Sequence, residues 1–101
     1  MQPTWSVYLL RDENDSLYTG ISTDVERRFR EHVEGGPRSA KFTRSKKQLE
    51  LVYTCRIGSH SLVSKVEYRL RRLVKKEKEA VVQRGESARI LLERLGLCGE
   101  I

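Results

Sequence analysis

Two short segments near the start of the chain, residues 5–11 and 17–22, alternate apolar and polar positions in the manner of β-strands. The connection between them is rich in turn-forming residues, so the two segments are predicted to pair as an antiparallel hairpin. Side chains alternate between the faces of a strand, and a register that places Tyr8 opposite Tyr18 or Gly20 points both phenols to the same side of the sheet. Gly20 would then leave open space above the sheet.

The hairpin is followed by a segment in which apolar residues have helical spacing. Thr23 and Glu26 form a capping-box pattern, which predicts that the helix begins at Asp24. Two glycines and a proline at 35–37 end it. The predicted apolar stripe consists of Val25, Phe29 and Val33, with His32 at its margin.

The remainder of the chain predicts one further strand and two further helices. Residues 49–55 are rich in β-forming side chains and make the third strand, which crosses back to the hairpin. A long helix begins at Ser61 and is followed by a charged stretch over residues 75–79, and after Gly85 a closing helix covers residues 86–95. The long helix carries apolar side chains at Leu62, Val63, Val66, Leu70, Leu73 and Val74.

The predicted order β-β-α-β-α-α describes an α+β fold, in which a small three-stranded antiparallel sheet is flanked by helices. A chain of 101 residues buries enough surface for one core. Residues 1–101 are therefore predicted to form a single domain.

The charge balance narrows the class of partner. Lysine and arginine total 20 against 14 acidic residues, a formal net charge of +6, which favours a polyanion such as nucleic acid or an acidic membrane surface. A basic surface that serves only solubility has the same composition, and this alternative stays open. The two cysteines lack the spacing of a zinc site, no apolar run is long enough to span a membrane, and the N-terminus has no signal-peptide pattern. The protein is therefore expected to be cytoplasmic.

Helical angles sort the polar residues of the first helix, because each residue advances about 100° around the axis. Arg27 and Arg30 point to solvent on this basis. Arg28 and His32 lie one turn apart, border the apolar stripe and can reach over the sheet. The alternative interpretations are that the stem of Arg28 covers the edge of the core and that His32 is a core-edge histidine.

On the long helix, Glu67 falls at the edge of the apolar stripe, where a carboxylate needs a partner. The partner is either an arginine or lysine, both abundant here, or a hard divalent cation, which prefers carboxylate and water ligands. The two tyrosines leave a similar choice, because cross-strand aromatic packing is common in hairpins.

Six residues, taken in order, resemble the functional residues of the GIY-YIG nuclease family: Tyr8, Tyr18, Gly20, Arg28, His32 and Glu67. The first family motif appears as Val7-Tyr8-Leu9 and the second as Tyr18-Thr19-Gly20. The resemblance covers residues 5–80 and is closest to the small stand-alone bacterial members. Two departures are present, since the first motif keeps only its tyrosine and the asparagine that several family nucleases carry after the glutamate has no clear equivalent.

The resemblance implies a divalent-metal-dependent endonuclease that hydrolyses phosphodiester bonds in DNA, with RNA left open as a substrate. In that role Glu67 would bind a single Mg²⁺ or Mn²⁺ ion, and Arg28 would contact the phosphate oxygens. Either Tyr8 or Tyr18 would take the proton of the attacking water, and His32 would assist the phenol. The sequence does not decide between the two tyrosines; Tyr8 is favoured as the base, with Tyr18 positioning water and phosphate. A tyrosine with a pKa of about 10 is only about 0.1 % ionised at neutral pH, so the base needs such assistance.

Contacts with nucleic acid are expected from Gly20 and from the basic loop that follows the first helix. No separate DNA-reading domain fits in the chain, so cleavage should be structure-selective or weakly sequence-specific. Neither a membrane nor an obligate protein partner is expected. The loop residues expected to contact phosphates are Lys41, Arg44, Lys46 and Lys47.

Two other hypotheses stay open. The same fold can serve as a nucleic-acid-binding module with little or no catalytic activity, which the two departures from the family pattern favour. A protein-interaction domain whose charge serves solubility is the third hypothesis. The basic residues between Arg69 and Lys76 are interpreted as a solvated face with incidental affinity for nucleic acid.

Overall fold

The computed structural model describes residues 2–34 and 48–100, and it confirms the α+β architecture with a three-stranded antiparallel sheet. The described residues contain one more helix than the sequence predicted, so their order is β-β-α-β-α-α-α. No helix within these two ranges is long and apolar enough to cross a membrane. The elements are β1 (Trp5–Asp12), β2 (Leu17–Ser22), α1 (Val25–Glu34), β3 (Leu49–Gly58), α2 (His60–Arg72), α3 (Lys75–Arg84), α4 (Ala88–Arg94) and a short 3-10 helix (Cys98–Glu100).

The sheet has the strand order β2-β1-β3, so β1 is central and β2 is an edge strand. Tyr8 lies opposite Gly20 and Leu10 lies opposite Tyr18, which confirms one of the two predicted registers. The side chain of Asp12 closes the hairpin turn by accepting hydrogen bonds from the backbone amides of Asn14 and Ser16, both at 2.9 Å. This register places the two phenols on the same face of neighbouring strands.

The two faces of the sheet have different roles. One face, with Val7, Leu9 and Tyr53, packs against α2, α3 and α4 and forms the hydrophobic core, in which Val63 and Val66 are fully buried. The other face carries Tyr8 and Tyr18 and lies against α1. The core is therefore on one side of the sheet, and the two phenols of the candidate site lie on the other.

Helix α1 differs from the sequence prediction in its cap. The capping residue is Asp24 and not Thr23, because the Asp24 carboxylate accepts a hydrogen bond from the Arg27 amide at 3.2 Å and the Asp24 carbonyl accepts from the Arg28 amide. The Ser22 hydroxyl in turn accepts from the Asp24 amide at 2.9 Å. A carboxylate next to the first turn competes well for these donors, since it also complements the helix dipole.

The buried stripe of α1 is also rotated relative to the prediction. His32, placed at the margin, is only 1 % exposed, whereas Val33, placed in the stripe, is 56 % exposed. A histidine is favoured at this position because its ring nitrogen finds a hydrogen-bond partner in the sheet below. Periodicity of apolar residues alone does not reveal such a partner.

The predicted long helix divides into two, because Leu73 and Val74 both adopt extended backbone conformations. Helix α2 ends at Arg72, and the charged stretch that follows begins the separate helix α3. Val74 is exposed, so its predicted place in the apolar stripe is wrong. Gly85 ends α3 in the left-handed conformation, with φ of 57°.

Two polar clusters attach the C-terminal helices to the rest of the fold. The Tyr53 hydroxyl donates to the carbonyl of Glu86 at 2.7 Å, and the buried Glu86 carboxylate is paired with Arg94. At the hairpin, the Arg11 guanidinium binds both carboxylate oxygens of Glu79 at 2.6 and 2.7 Å. These contacts hold α3 and α4 against the sheet. Helix α2 packs more against β2 than against the other strands.

Candidate active site

The ring of Tyr8 lies directly over Gly20. A Cβ atom at position 20 would come within 2.4 Å of both Cζ and Oη of Tyr8, much closer than real Cβ atoms approach other atoms. The phenol therefore fills the space above Gly20. The prediction from sequence that this space is open is wrong. Gly20 is buried beneath the ring, and its predicted contact with nucleic acid stays a prediction.

His32 lies between the two phenols. Its Nε2 atom is 2.9 Å from the Tyr8 hydroxyl in a buried hydrogen bond. Its ring meets the ring of Tyr18 edge-on, with 5.3 Å between the centroids. The imidazole thus fixes both tyrosines from the helix side.

Burial sets the protonation states in this cluster. Burial, and to a smaller extent the charge of Arg28, lower the pKa of His32 to about 4, so the imidazole is neutral at physiological pH. Burial, and then the neighbouring Tyr18, raise the pKa of Tyr8 to about 12, while Arg28 opposes the shift. Arg28 also interacts with the Tyr8 hydroxyl, and the direction of the Tyr8–His32 hydrogen bond follows from the tautomer of the imidazole.

Arg28 lies at the border of the buried stripe, as the helical angles predicted, while Arg27 and Arg30 are exposed. Its Nη1 atom binds the Glu31 carboxylate at 3.0 Å, and the guanidinium also interacts with the Tyr8 hydroxyl. Sequence reasoning did not include Glu31 in the site. Its position three residues after Arg28 is nevertheless the spacing at which opposite charges form an ion pair on a helix. Arg28 is thus held in place and remains partly exposed.

Glu67 reaches the site from α2. Its carboxylate forms an ion pair with Arg71 at 3.3 Å, which is the arginine partner considered as one alternative from sequence. Arg71 is 58 % exposed, and a pair this exposed contributes little stability and is easily exchanged. The Glu67 charge also raises the pKa of Tyr18, so the carboxylate lies close to that phenol.

Tyr18 is the residue on which the site converges. Burial is the main cause of its raised pKa, the charges of Arg28 and Arg71 oppose the shift, and Glu67 adds to it. The sheet, α1 and α2 therefore bring a phenol, a guanidinium and a carboxylate together around Tyr18.

The two tyrosines differ in accessibility. Tyr8 is only 1 % exposed, and its hydroxyl is occupied by His32 and Arg28. Tyr18 is half-buried. A general base must come within hydrogen-bond reach of the attacking water, so these exposures favour Tyr18 for that role, whereas the sequence favoured Tyr8.

A divalent metal is compatible with these residues, but only with few protein ligands. Within residues 2–34 and 48–100, no group of three or more histidine, cysteine, aspartate or glutamate side chains could hold an ion. Mg²⁺ commonly keeps several waters and binds through one or two carboxylates together with substrate phosphate, so the Glu67 carboxylate suits that mode. The predicted phosphate contacts at Lys41, Arg44, Lys46 and Lys47 lie outside the described residues.

The neutral, buried His32 predicts a specific dependence of stability on pH. Between 6.5, its ordinary pKa, and about 4, the unfolded chain binds a proton that the folded protein does not, so the stabilisation is complete above 6.5 and is lost as pH falls toward 4. Urea unfolding across this range should show the loss, and His32→Phe should reduce the slope. A slope equal in both proteins would contradict the assignment.

Comparison with known proteins places the chain in a family. The family model described as "GIY-YIG catalytic domain" matches residues 4–80 of this chain. A UPF0213 protein of Citrobacter koseri is 43 % identical over 91 residues, which cover 90 % of this chain and 89 % of the relative. A UPF0213 protein of Klebsiella pneumoniae is 45 % identical over 91 residues, which cover 90 % of this chain and 84 % of the relative.

A solved structure agrees with these matches. The solution NMR structure of the UPF0213 protein BH0048 from Bacillus halodurans has a TM-score of 0.51 and 35 % sequence identity. The similarity covers 79 % of this chain and 83 % of that one. The chain therefore belongs to the GIY-YIG family, among the small bacterial UPF0213 proteins.

Proposed function

We propose that this protein is a divalent-metal-dependent endonuclease that hydrolyses phosphodiester bonds in DNA, with structure selectivity or weak sequence specificity. The observation that carries the proposal is the convergence around Tyr18 of a guanidinium, a carboxylate and a neutral imidazole. The fold of a GIY-YIG catalytic domain and the net charge of +6 support it.

Arg28 binds and stabilises the phosphate in this proposal. Its planar guanidinium matches the geometry of phosphate oxygens, and its donors become more effective as negative charge accumulates in the transition state. The contacts with Glu31 and Tyr8 hold the side chain in place before substrate arrives. A fixed donor needs no rearrangement at the moment of reaction, which is the source of its catalytic value.

Tyr18 acts as the general base: its phenol first loses its proton to solvent, and the resulting phenolate accepts the proton of the attacking water. Because burial raises its pKa, the phenol is protonated in the resting protein, and the charges of Arg28 and Arg71 are the chain's own means of favouring the phenolate. Tyr8 and His32 are positioning residues in this scheme. Their hydrogen bond fixes the imidazole, whose edge contact with Tyr18 orients the second phenol.

Glu67 would hold the Mg²⁺ or Mn²⁺ ion, which supplies Lewis-acid stabilisation of the phosphate and the leaving oxygen when it is bound. Before a cation binds, the Glu67 carboxylate is held by its ion pair with Arg71. Exchange of Arg71 for the cation requires only the loss of an exposed contact.

A nucleic-acid-binding module without turnover is the second candidate function. The specific observation in its favour is the same Glu67–Arg71 pair, because an arginine that keeps the carboxylate would exclude a metal. Such a module would retain affinity for DNA, since its basic charge does not depend on the ion.

Incubation of supercoiled plasmid with purified protein and Mg²⁺ or Mn²⁺ separates the two candidates. The wild type should nick the plasmid, and Glu67→Gln should reduce the rate roughly 100-fold or more. Glu93→Gln removes an equal charge from an exposed site on α4 and should leave the rate unchanged. Equal nicking by the wild type and the Glu67 variant would indicate a contaminating nuclease, and binding without nicking would favour the module.

A further inference from the structure

Helix α2 presents a large aromatic side chain to solvent next to the candidate site. Tyr68 follows Glu67 in sequence and is 52 % exposed. The helix carries four cationic residues and one acidic residue, so the surface around this ring is basic. The cations are Lys65, Arg69, Arg71 and Arg72.

Arg72 stacks against this ring. Its guanidinium carbon lies 5.3 Å from the centroid of Tyr68, in the range of a cation–π contact. Two planar groups, one aromatic and one cationic, thus lie together on the exposed side of the helix. Aromatic rings and arginine planes are the groups on which proteins stack unpaired bases.

Two open grooves are lined by Tyr68, with volumes of about 350 and 400 Å³. Arg69 also lines both of them, so the two grooves adjoin at Tyr68 and Arg69. The first groove is completed by Arg72, Leu73, Arg94 and Leu95, and the second by Ser64 and Lys65.

The surface is continuous with the candidate site along the helix. Successive residues of an α-helix are about 100° apart, which places Tyr68 about 100° around the axis from Glu67 and Arg71 about 40° from it in the same direction. Arg71 lies between the two and is paired with Glu67. A phosphate backbone that leaves the site past Glu67 therefore meets Arg71 before it reaches Tyr68.

We propose that Tyr68 and Arg72 form a stacking platform for an unpaired base of a nucleic acid strand bound at the active site. The proposal deepens the proposed function, since it takes the Glu67 region as the site of cleavage and names substrates with a single-stranded segment beside the scissile phosphate. A single strand is favoured over an acidic peptide because it combines regularly spaced negative charges with exposed aromatic planes. A blunt duplex hides these planes within its stack.

Fluorescence anisotropy with a labelled oligothymidylate and a blunt duplex tests the platform, with EDTA present so that cleavage plays no part. Tyr68→Ala should weaken binding of the single strand about 5- to 100-fold, in line with the loss of one stacked base, and should change duplex binding less than about two-fold. Tyr68→Phe keeps the ring and should bind like the wild type. Arg72→Gln should weaken binding of the single strand and lower its log–log salt slope by about 0.7, whereas Tyr68→Ala should leave that slope unchanged.

Arg89→Gln is the matched charge control, since Arg89 is exposed on α4 and lines neither groove. Arg69 is unsuited to this test because it donates to the Leu95 carbonyl at 2.8 Å, so its removal would alter the C-terminal packing. Single-strand binding by Tyr68→Ala at wild-type affinity would overturn the proposal, as would equal losses for single strand and duplex. Competition by polyglutamate as strong as that by oligothymidylate would overturn it too. Because no turnover is measured, these outcomes are independent of whether the protein cleaves DNA.

Discussion

Replacement of Arg28 by alanine is expected to reduce the rate of DNA nicking by roughly 10²- to 10³-fold, with the fold retained. This is the range found when one preorganised donor to a developing charge is removed. Arg28 is partly exposed and lies at the border of the buried stripe of α1, so its loss leaves the core intact. The rate under single-turnover conditions, together with a urea unfolding curve, measures both parts of the prediction.

Arg30→Ala provides the matched control, because Arg30 is an exposed arginine on the same helix that points away from the sheet. Its removal lowers the net charge by the same amount. The loss of nicking rate in Arg30→Ala should be at least roughly tenfold smaller than the loss in Arg28→Ala. Equal losses in the two variants would show that Arg28 contributes only general electrostatic attraction.

Replacement of Gly20 by alanine is expected to disrupt both stability and the site. The new Cβ would lie 2.4 Å from the Cζ and Oη atoms of Tyr8, so the phenol must leave its position over the strand. Overpacking of this kind costs about 1 to 3 kcal/mol, and displacement of the ring also breaks the hydrogen bond with His32. The free energy of unfolding in urea should fall by about this amount, and nicking should fall with it.

Gly99→Ala isolates the steric effect. A Cβ at Gly99 has no heavy atom within 4 Å, so the same change in backbone entropy occurs without a collision. The NMR signals of the His32 ring should shift in Gly20→Ala and stay in place in Gly99→Ala. A Gly20 variant with wild-type stability and an unchanged His32 ring would contradict the packing of Tyr8 over this strand.

The hairpin register was predictable because two local rules agree. The turn-forming residues fix where the chain reverses, and the alternation of apolar side chains fixes which face each residue occupies. Tyr8 therefore falls opposite Gly20, as the sequence allowed. The capping of α1 by Asp24 was harder to predict, because Thr23 and Asp24 are both good caps and only the path of the chain from β2 decides between them.

The break between α2 and α3 was not predictable from periodicity. Leu73 and Val74 continue the apolar spacing of α2, and neither is a proline or a glycine. The chain turns there because α3 packs across β3 and forms the Arg11–Glu79 pair, and such long-range contacts outweigh local helix propensity.

The sequence predicted which side chains lie near one another better than it predicted how they are arranged. The order of Tyr8, Tyr18, Arg28, His32 and Glu67 named the residues that the fold brings near one another. It did not reveal that Tyr8 is almost fully buried, because burial depends on how α1 lies on the sheet. Tyr68 was overlooked since it lies outside every apolar stripe, and its value depends on an exposed position beside Arg72 that only the folded helix shows.

The nicking rate of a Tyr18→Phe variant tests the central claim most directly, because the substitution removes one oxygen atom from the point where the site converges. The account predicts a loss of at least roughly 100-fold in rate, the size expected for a positioned general base, with unchanged unfolding and unchanged affinity for DNA in EDTA. Nicking by Tyr18→Phe at the wild-type rate, with the loss appearing instead in Tyr8→Phe, would contradict the account and return the base to Tyr8.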